Sequence, residues 1–152
     1  MSDKEQERSS TSSLMRKLTR AKKIDSFFAE NETQFGIEDF QNCLKKYCEA
    51  KNTIPEHVIT RAQIDRTYGH QLFNGTRNPS RDKVIQLAFG LGLNVEETQH
   101  LLRAASKSTL YPRIRRDAVI IYALKEKWSL LETQEALSQY NLTILGEEKI
   151  YG

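Results

Sequence analysis

The feature that most restricts the fold of this chain is an internal repeat at an offset of 35 residues. The segment RDKVIQLAFGLGLNVEETQHLL at 81–102 aligns without a gap to RDAVIIYALKEKWSLLETQEAL at 116–137, with nine identical positions out of 22. A helix-capping pair, Asn94 with Glu97 in the first copy, recurs in register in the second. Each copy therefore predicts a helix, a short turn and a second helix, and stacking the copies would bury their shared apolar faces.

The rest of the chain also carries helical periodicity. Apolar residues recur at three- and four-residue steps from Leu14 onward, and Asp25 is predicted to cap a second short helix in this N-terminal arm. Pro55 and Pro112 stand where first-turn prolines are favoured, so Pro112 predicts the start of a helix that reaches about Lys127. Because no convincing strand pattern accompanies these helices, the predicted fold class is all-α.

The same patterns divide the chain into segments. The N-terminal residues are polar and rich in Ser and Thr, which predicts disorder. The tail is ambiguous, and Leu142, Ile144 and Leu145 could dock as an extended, strand-like segment. The predicted organisation is a disordered head at 1–13, a helical arm at 14–36, a central helical domain at 37–105, and a C-terminal helical hairpin with its tail at 106–152.

Composition limits the classes of partner. The formal net charge is only +3, so a nucleic-acid footprint must come from local basic clusters, for which 16–23 and 61–83 are the candidates. No apolar stretch is long enough to span a membrane, and the polar N-terminus lacks a secretory signal core. We therefore expect a cytoplasmic protein with no membrane partner, in which Cys43 and Cys48 are reduced core thiols.

The sequence carries no recognisable pattern of an enzyme or a metal site. His57, His70 and His100 lack ligand spacing to one another and to the cysteines. A Gly-rich phosphate loop, a nucleophile elbow and a metalloprotease motif are all missing from the sequence. Asp82 and Asp117 each follow an arginine at a helix start, which favours neighbouring Arg–Asp pairs over catalytic carboxylates. The prediction is a non-enzyme without metal or cofactor.

The stretch at 55–93 carries the strongest functional signal. It reads PEHVITRAQIDRTYGHQLFNGTRNPSRDKVIQLAFGLGL, which predicts two short helices joined by a tight turn, an Asn-Gly stop and an Asn-Pro-Ser start of the next helix. The residues that carry a family resemblance are Asn74, Gly75, Arg77, Pro79 and Ser80. The pattern resembles the Cro/lambda-repressor (XRE-like) helix-turn-helix family over residues 37–105. The resemblance implies a lambda-repressor-like DNA-binding domain, here extended by the N-terminal helical arm and the C-terminal helical hairpin.

In that family the third helix, predicted here at 66–73, enters the major groove of DNA. The candidate base-reading residues on its open side are Arg66, Thr67, His70 and Gln71. A guanine edge suits Arg66, an adenine edge suits Gln71, and a thymine methyl suits Thr67. The candidate phosphate contacts are Asn74, Thr76, Arg77 and Arg81.

The resemblance implies a sequence-specific transcriptional regulator that binds double-stranded DNA, and we expect a homodimer because one short helix reads few bases. The longer pattern through LYPRIRRDAVIIYAL is similar to a group of small bacterial helix-turn-helix regulators, some of which are thought to accompany serine/threonine kinase signalling. A non-catalytic adaptor that binds a protein through the arm or the hairpin is therefore the alternative function. A further basic cluster, formed by Arg113, Arg115 and Arg116, could flank DNA, bind an acidic partner or simply be solvated.

Overall fold

A computed structural model describes residues 10–31 and 39–146 of the chain. Within these ranges the protein is all-α, as predicted, and no residue there lies in a strand. The helices described are α1 (Thr11–Arg20), α2 (Ile24–Glu30), α3 (Phe40–Ala50), α4 (Pro55–Arg61), α5 (Arg66–Asn74), α6 (Arg81–Leu91), α7 (Val95–Ala104), α8 (Arg115–Lys125) and α9 (Leu130–Gln139).

The chain divides into two compact units, Met1–Ile37 and Glu38–Gly152. In the first unit, α1 and α2 pack against each other. The helix α1 begins at Thr11, earlier than predicted, because the Ser10 hydroxyl accepts a hydrogen bond from the Ser13 amide at 3.2 Å and caps the helix. The remainder of the predicted head, before Ser10, lies outside the described residues.

The start of α2 also differs from the prediction. Asp25 lies inside the first turn, and Lys23 is the N-cap residue, without a side-chain hydrogen bond to the helix. A first-turn carboxylate still interacts favourably with the positive end of the helix dipole, so Asp25 supports the helix start electrostatically rather than as a cap. Phe27 is buried, whereas Phe28 is about half exposed.

The second unit is built around one continuous apolar core. The helices α3, α4 and α5 contribute Leu44, Val58 and Leu72, which are fully buried. The same core continues through α6 and α7 to Ile120 of α8 and Leu137 of α9. Both cysteines are buried free thiols on α3, in keeping with the prediction. The C-terminal hairpin therefore extends the core of the central helices and shares its apolar side chains with them.

The structure confirms the internal repeat. Both predicted capping boxes are present, at the starts of α7 and α9. The side chain of Gln99 donates to and accepts from the backbone of Leu110, and Gln134 makes the same two hydrogen bonds with Leu145. Leu110 and Leu145 lie after the aligned segments 81–102 and 116–137, so the structural repeat is longer than the sequence alignment indicates. The structural repeats are residues 81–111 (repeat 1) and 116–146 (repeat 2).

Two arginine–aspartate pairs join the repeats and correct the prediction of neighbouring pairs. Arg81 binds both oxygens of Asp117, at 3.1 and 2.9 Å, and Arg116 binds both oxygens of Asp82, each at 2.9 Å. Adjacent residues on a helix do not face each other, so each arginine reaches the aspartate of the other repeat instead. Each aspartate also accepts a backbone amide from the other repeat. The exchange is reciprocal, as in two units related by an approximate two-fold rotation. We call these four side chains the junction.

The helix α8 begins at Arg115, so the prediction of a start at Pro112 was wrong. Residues 111–114 form a turn in which the Ile114 amide donates to the Tyr111 carbonyl at 3.0 Å. The Tyr111 amide donates to the carboxylate of Asp117 at 2.9 Å, which fixes the chain outside the helix before Arg115. A contact across the junction therefore sets this boundary.

The tail packs on the second unit as an extended segment. Leu145 is buried, and Leu142 and Ile144 are partly buried against the core. The described part of the tail forms no strand, because its backbone bonds to side chains such as Gln134 rather than to another strand. Residues 147–152 lie outside the described residues.

Candidate nucleic-acid interface

The helices α4 and α5 are joined by the tight turn that the sequence predicts. Gln63 adopts a left-handed backbone conformation with φ of 55°, and the Ile64 amide donates to the Ile59 carbonyl at 3.2 Å. Asp65 then caps α5, because its carboxylate accepts the Tyr68 amide at 3.1 Å. These local contacts fix the direction in which α5 leaves the turn.

One face of α5 is held firmly against the core. Gly69, Leu72 and Phe73 are buried. A Cβ atom at Gly69 would lie 2.6 Å from the side chain of Ile59 on α4, so only glycine permits the two helices to approach this closely. The close approach anchors α5 and leaves its opposite face outward.

The four residues predicted to read bases lie on this outward side of α5 or at its edge. Thr67 is exposed, and the side chain of Arg66 is 77% exposed. His70 and Gln71 are half-buried one turn later. The structure therefore brings Arg66, Thr67, His70 and Gln71 together on a single helix surface.

Glu56 of α4 pairs with two of these residues, and the sequence analysis did not assign it to the site. Its Oε1 lies 2.9 Å from Nε of Arg66, and its Oε2 lies 3.0 Å from Nε2 of His70. The hydrogen bond from His70 is the main cause that lowers the pKa of Glu56, and the charge of Arg66 lowers it further. Glu56 is thus a carboxylate that ties the two side chains together at the surface.

A second cluster surrounds the ring of Tyr68. The guanidinium carbon of Arg77 lies 5.0 Å from the ring centroid, and Nζ of Lys83 lies 5.7 Å from it. Nε of Arg77 also donates to Oε1 of Gln71 at 3.0 Å. These side chains line a shallow groove of about 480 Å³ together with Asp65 and Thr67. Tyr68 and Lys83 were not among the predicted site residues, although Lys83 closes the basic cluster at 61–83.

Two more of the predicted phosphate contacts, Asn74 and Thr76, lie where α5 ends and the following turn begins. Gly75 ends the helix in a left-handed conformation with φ of 82°. Oδ1 of Asn74 accepts hydrogen bonds from the amide of Thr76, at 2.9 Å, and from its hydroxyl. Both side chains are exposed. The turn is therefore closed by a local network and lies directly before Arg77.

Arg81, the fourth predicted phosphate contact, makes none of the hydrogen bonds described for α5 and the turn that follows it. It donates to both oxygens of Asp117 and to the carbonyl oxygens of Ser108 and Thr109. All three guanidinium nitrogens are engaged in the junction, and the side chain is only 25% exposed. Arg81 is therefore a structural residue, because each of its guanidinium nitrogens donates to an acceptor within the protein.

A larger cavity of about 820 Å³ lies between the two repeats, near the C-terminal ends of α6 and α8. Its walls include Phe89, Leu93 and the half-buried Trp128. Trp128 packs edge-on against Tyr122 with ring centroids 5.5 Å apart. The lining is a mixture of apolar groups, lysines and glutamates, and it includes none of the residues predicted to contact DNA.

Among the described residues, no group of three or more His, Cys, Asp or Glu side chains could hold a metal ion. No helix in the part of the chain described here is both long and apolar enough to cross a membrane. No family model, curated protein or solved structure matches the chain. Its function must therefore be argued from its own residues.

Proposed function

We propose that this protein is a sequence-specific DNA-binding transcriptional regulator that inserts α5 into the major groove, as Cro/lambda-repressor-like proteins do. One observation carries the proposal: α5 has a fully anchored apolar face and an opposite polar face on which Arg66, Thr67 and Gln71 are grouped. A helix bound to DNA needs both properties, because the anchored face fixes its angle and the polar face meets the base edges.

The cluster around Tyr68 supplies the electrostatic part of the proposal. Arg77 and Lys83 place two positive charges beside the ring of Tyr68 on α5. Nε of Arg77 also donates to the side-chain oxygen Oε1 of Gln71, and this hydrogen bond orients the side-chain amide of Gln71. In the proposed complex Arg77 and Lys83 contact phosphates and so position the protein on the DNA, while Gln71 contacts a base and so contributes sequence specificity.

Glu56 has a separate role in this proposal. Its carboxylate carries negative charge on the surface that would face DNA, and it restrains Arg66 and His70. This charge repels phosphate groups, and the ion pair between Glu56 and Arg66 competes with any contact that Arg66 would make to a phosphate on DNA of arbitrary sequence. We propose that Glu56 lowers affinity for arbitrary DNA and so increases discrimination between sequences.

The experiment begins with selection of a preferred duplex from a random DNA library, followed by anisotropy titrations against that duplex and a scrambled one. We expect Arg66→Ala and Gln71→Ala each to reduce discrimination by about 1–3 kcal/mol. Arg77→Ala should weaken binding to both duplexes and reduce the slope of log K against log salt by about one. Glu56→Gln should strengthen binding to the scrambled duplex.

Arg103→Ala is the matched control, because Arg103 is an exposed arginine on α7 and has no contact with the α5 surface among the interactions described. This variant should bind both duplexes as the unmodified protein does. The regulator proposal fails if the selection enriches no sequence and if Arg66→Ala and Arg77→Ala behave like Arg103→Ala.

A further inference from the structure

The two repeats differ in what covers the first helix of each. In repeat 1, α4 lies against α6 so closely that a Cβ atom at Gly90 would collide with the carbonyl oxygen of Val58. Gln86 donates to the Ala62 carbonyl at 3.0 Å, and Leu87 is fully buried. This face of α6 is therefore closed by another helix.

The equivalent face of α8 in repeat 2 is open. The residues that correspond to Gln86, Leu87 and Gly90 are Ile121, Tyr122 and Lys125. Tyr122 is 50% exposed, Ile114 at the start of α8 is 52% exposed, and the Lys125 side chain is 69% exposed. In the second unit as described, no helix takes the place that α4 occupies on repeat 1. Repeat 2 thus presents a helix face on which Ile114, Tyr122 and Lys125 are exposed and Ile121 is only partly buried against the core. We call it the α8 face.

The charges beside the α8 face are self-complementary. Arg115 is exposed near the start of α8, and no ion pair to a described carboxylate holds it. Glu126 follows the last residue of α8 and lies 3.9 Å from Nζ of the exposed Lys125, and helical periodicity places Glu126 on the same flank as Arg115. In an antiparallel pair of identical helices, each flank lies against the same flank of the partner. A residue near the start of one helix then lies beside a residue near the end of the other. Two copies of α8 would therefore bring each Arg115 close to the Glu126 of the other copy.

The side chains between these charges fit the same arrangement. Tyr122 lies between Arg115 and Glu126 in sequence, so a two-fold axis near its ring would place the two Tyr122 side chains together. Ala118, one turn earlier, is small and permits close helix approach. The ring of Tyr122 is held by its edge-on contact with Trp128, which reduces the entropy lost on association.

We propose that the α8 face is a dimer interface, in which α8 packs antiparallel against α8 of a second copy with Tyr122 near the two-fold axis and Arg115 paired with Glu126 across it. The proposal is independent of DNA binding, because no residue of α5 takes part. If the protein does not bind DNA, the dimer proposal still stands. If the protein is monomeric, the proposal that α5 binds DNA still stands.

The first test is site-specific cross-linking in the full chain. Tyr122→Cys should form a disulfide-linked dimer under mild oxidation, because a residue near the axis meets its own copy. Leu131→Cys is the control, since Leu131 is 58% exposed on α9, outside the α8 face. The native cysteines are buried and should contribute little. Equal cross-linking of the two variants, or none by Tyr122→Cys, would overturn the proposal.

The second test uses charge exchange and sedimentation equilibrium, with the unmodified full chain as the reference. Arg115→Glu should weaken self-association by roughly tenfold or more, because it places like charges beside Glu126 of the second copy. The double variant Arg115→Glu with Glu126→Arg should restore association. A chain that stays monomeric throughout the concentration series, or a double variant no better than the single one, contradicts the interface.

Discussion

Asp82 shows how one side chain combines opposing electrostatic effects. Its partial burial favours the neutral acid, but hydrogen bonds from Arg116 and from the Gly146 amide, with the charges of Arg116 and Arg81, outweigh that effect and lower its pKa. The ionised form is therefore the one that the folded state stabilises. The junction depends on this charge, since an arginine left without its carboxylate would be a partly buried, unpaired cation.

We expect Asp82→Asn to lower the free energy of unfolding by about 2 kcal/mol at neutral pH, because it leaves Arg116 unpaired. The pKa of Asp82 is lower in the folded than in the unfolded chain. Its contribution is thus complete above the unfolded pKa, roughly 4, and is lost as the pH falls through the folded pKa. The measurement is urea denaturation at a series of pH values from neutral to acidic.

The stability difference between the unmodified protein and Asp82→Asn should therefore narrow below a pH of roughly 4. Glu135→Gln, a change at an exposed acid of α9, is the control and should behave like the unmodified protein at every pH. A difference that stays constant across the whole acidic range would show that the charge of Asp82 is not what stabilises the junction.

At the scale of the helices, close packing of α4 on α6 depends on Gly90. Glycine costs about 1 kcal/mol relative to alanine inside a helix, so its presence needs a reason in packing. That reason is the carbonyl oxygen of Val58, with which a Cβ atom at Gly90 would collide, while Ala62 lies only 3.1 Å from the same position. The backbone of α4 cannot move away without opening the apolar core.

Gly90→Ala should therefore destabilise the protein by about 1–3 kcal/mol despite the higher helix propensity of alanine. The equivalent change in repeat 2, Lys125→Ala, should alter stability by no more than about 0.5 kcal/mol because that side chain is exposed. Thermal unfolding of both variants in dilute solution measures the difference. Equal stability of the two variants would mean that α4 does not pack on α6 as described.

Most helix limits followed from sequence because their signals are local. The capping boxes, the left-handed stop at Gly75 and the Ser80 cap each act within a few residues. The start of α8 was not predictable in this way, because the Tyr111 amide donates to the carboxylate of Asp117, which is also bound by Arg81 of repeat 1. The sequence grouped the polar residues of α5 correctly but missed Glu56, whose role depends on how α4 and α5 meet.

At the scale of the whole second unit, the junction joins the hairpin to the central helices. The sequence predicted that Arg81 contacts a phosphate and that the arginines pair with neighbouring aspartates, because a repeat does not reveal which copy supplies each partner. In the folded chain both arginines cross between copies, and the apolar core runs through both repeats without interruption. We therefore expect residues of the second unit to unfold together rather than as two independent parts.

Arg116→Ala tests this cooperativity. Trp128, the single tryptophan of the chain, reports on repeat 2 through its fluorescence. Hydrogen exchange of the peptides that cover α3 to α5 reports on the other part of the same unit. We expect urea to produce one transition by both probes in the unmodified protein, and both midpoints to fall together in Arg116→Ala. Separate midpoints in the unmodified protein would contradict a single cooperative unit.

The reciprocal junction has a consequence for how the two copies can diverge. A substitution at Asp82 removes the partner of Arg116, and one at Asp117 removes the partner of Arg81. Each repeat therefore restricts which residues the other repeat can carry at these positions. Positions outside the junction have no such reciprocal partner, and there the fully buried Leu87 corresponds to the half-exposed Tyr122 in the second copy. Substitutions outside the junction can therefore change the surface of one repeat, as on the α8 face, while the four junction side chains stay the same.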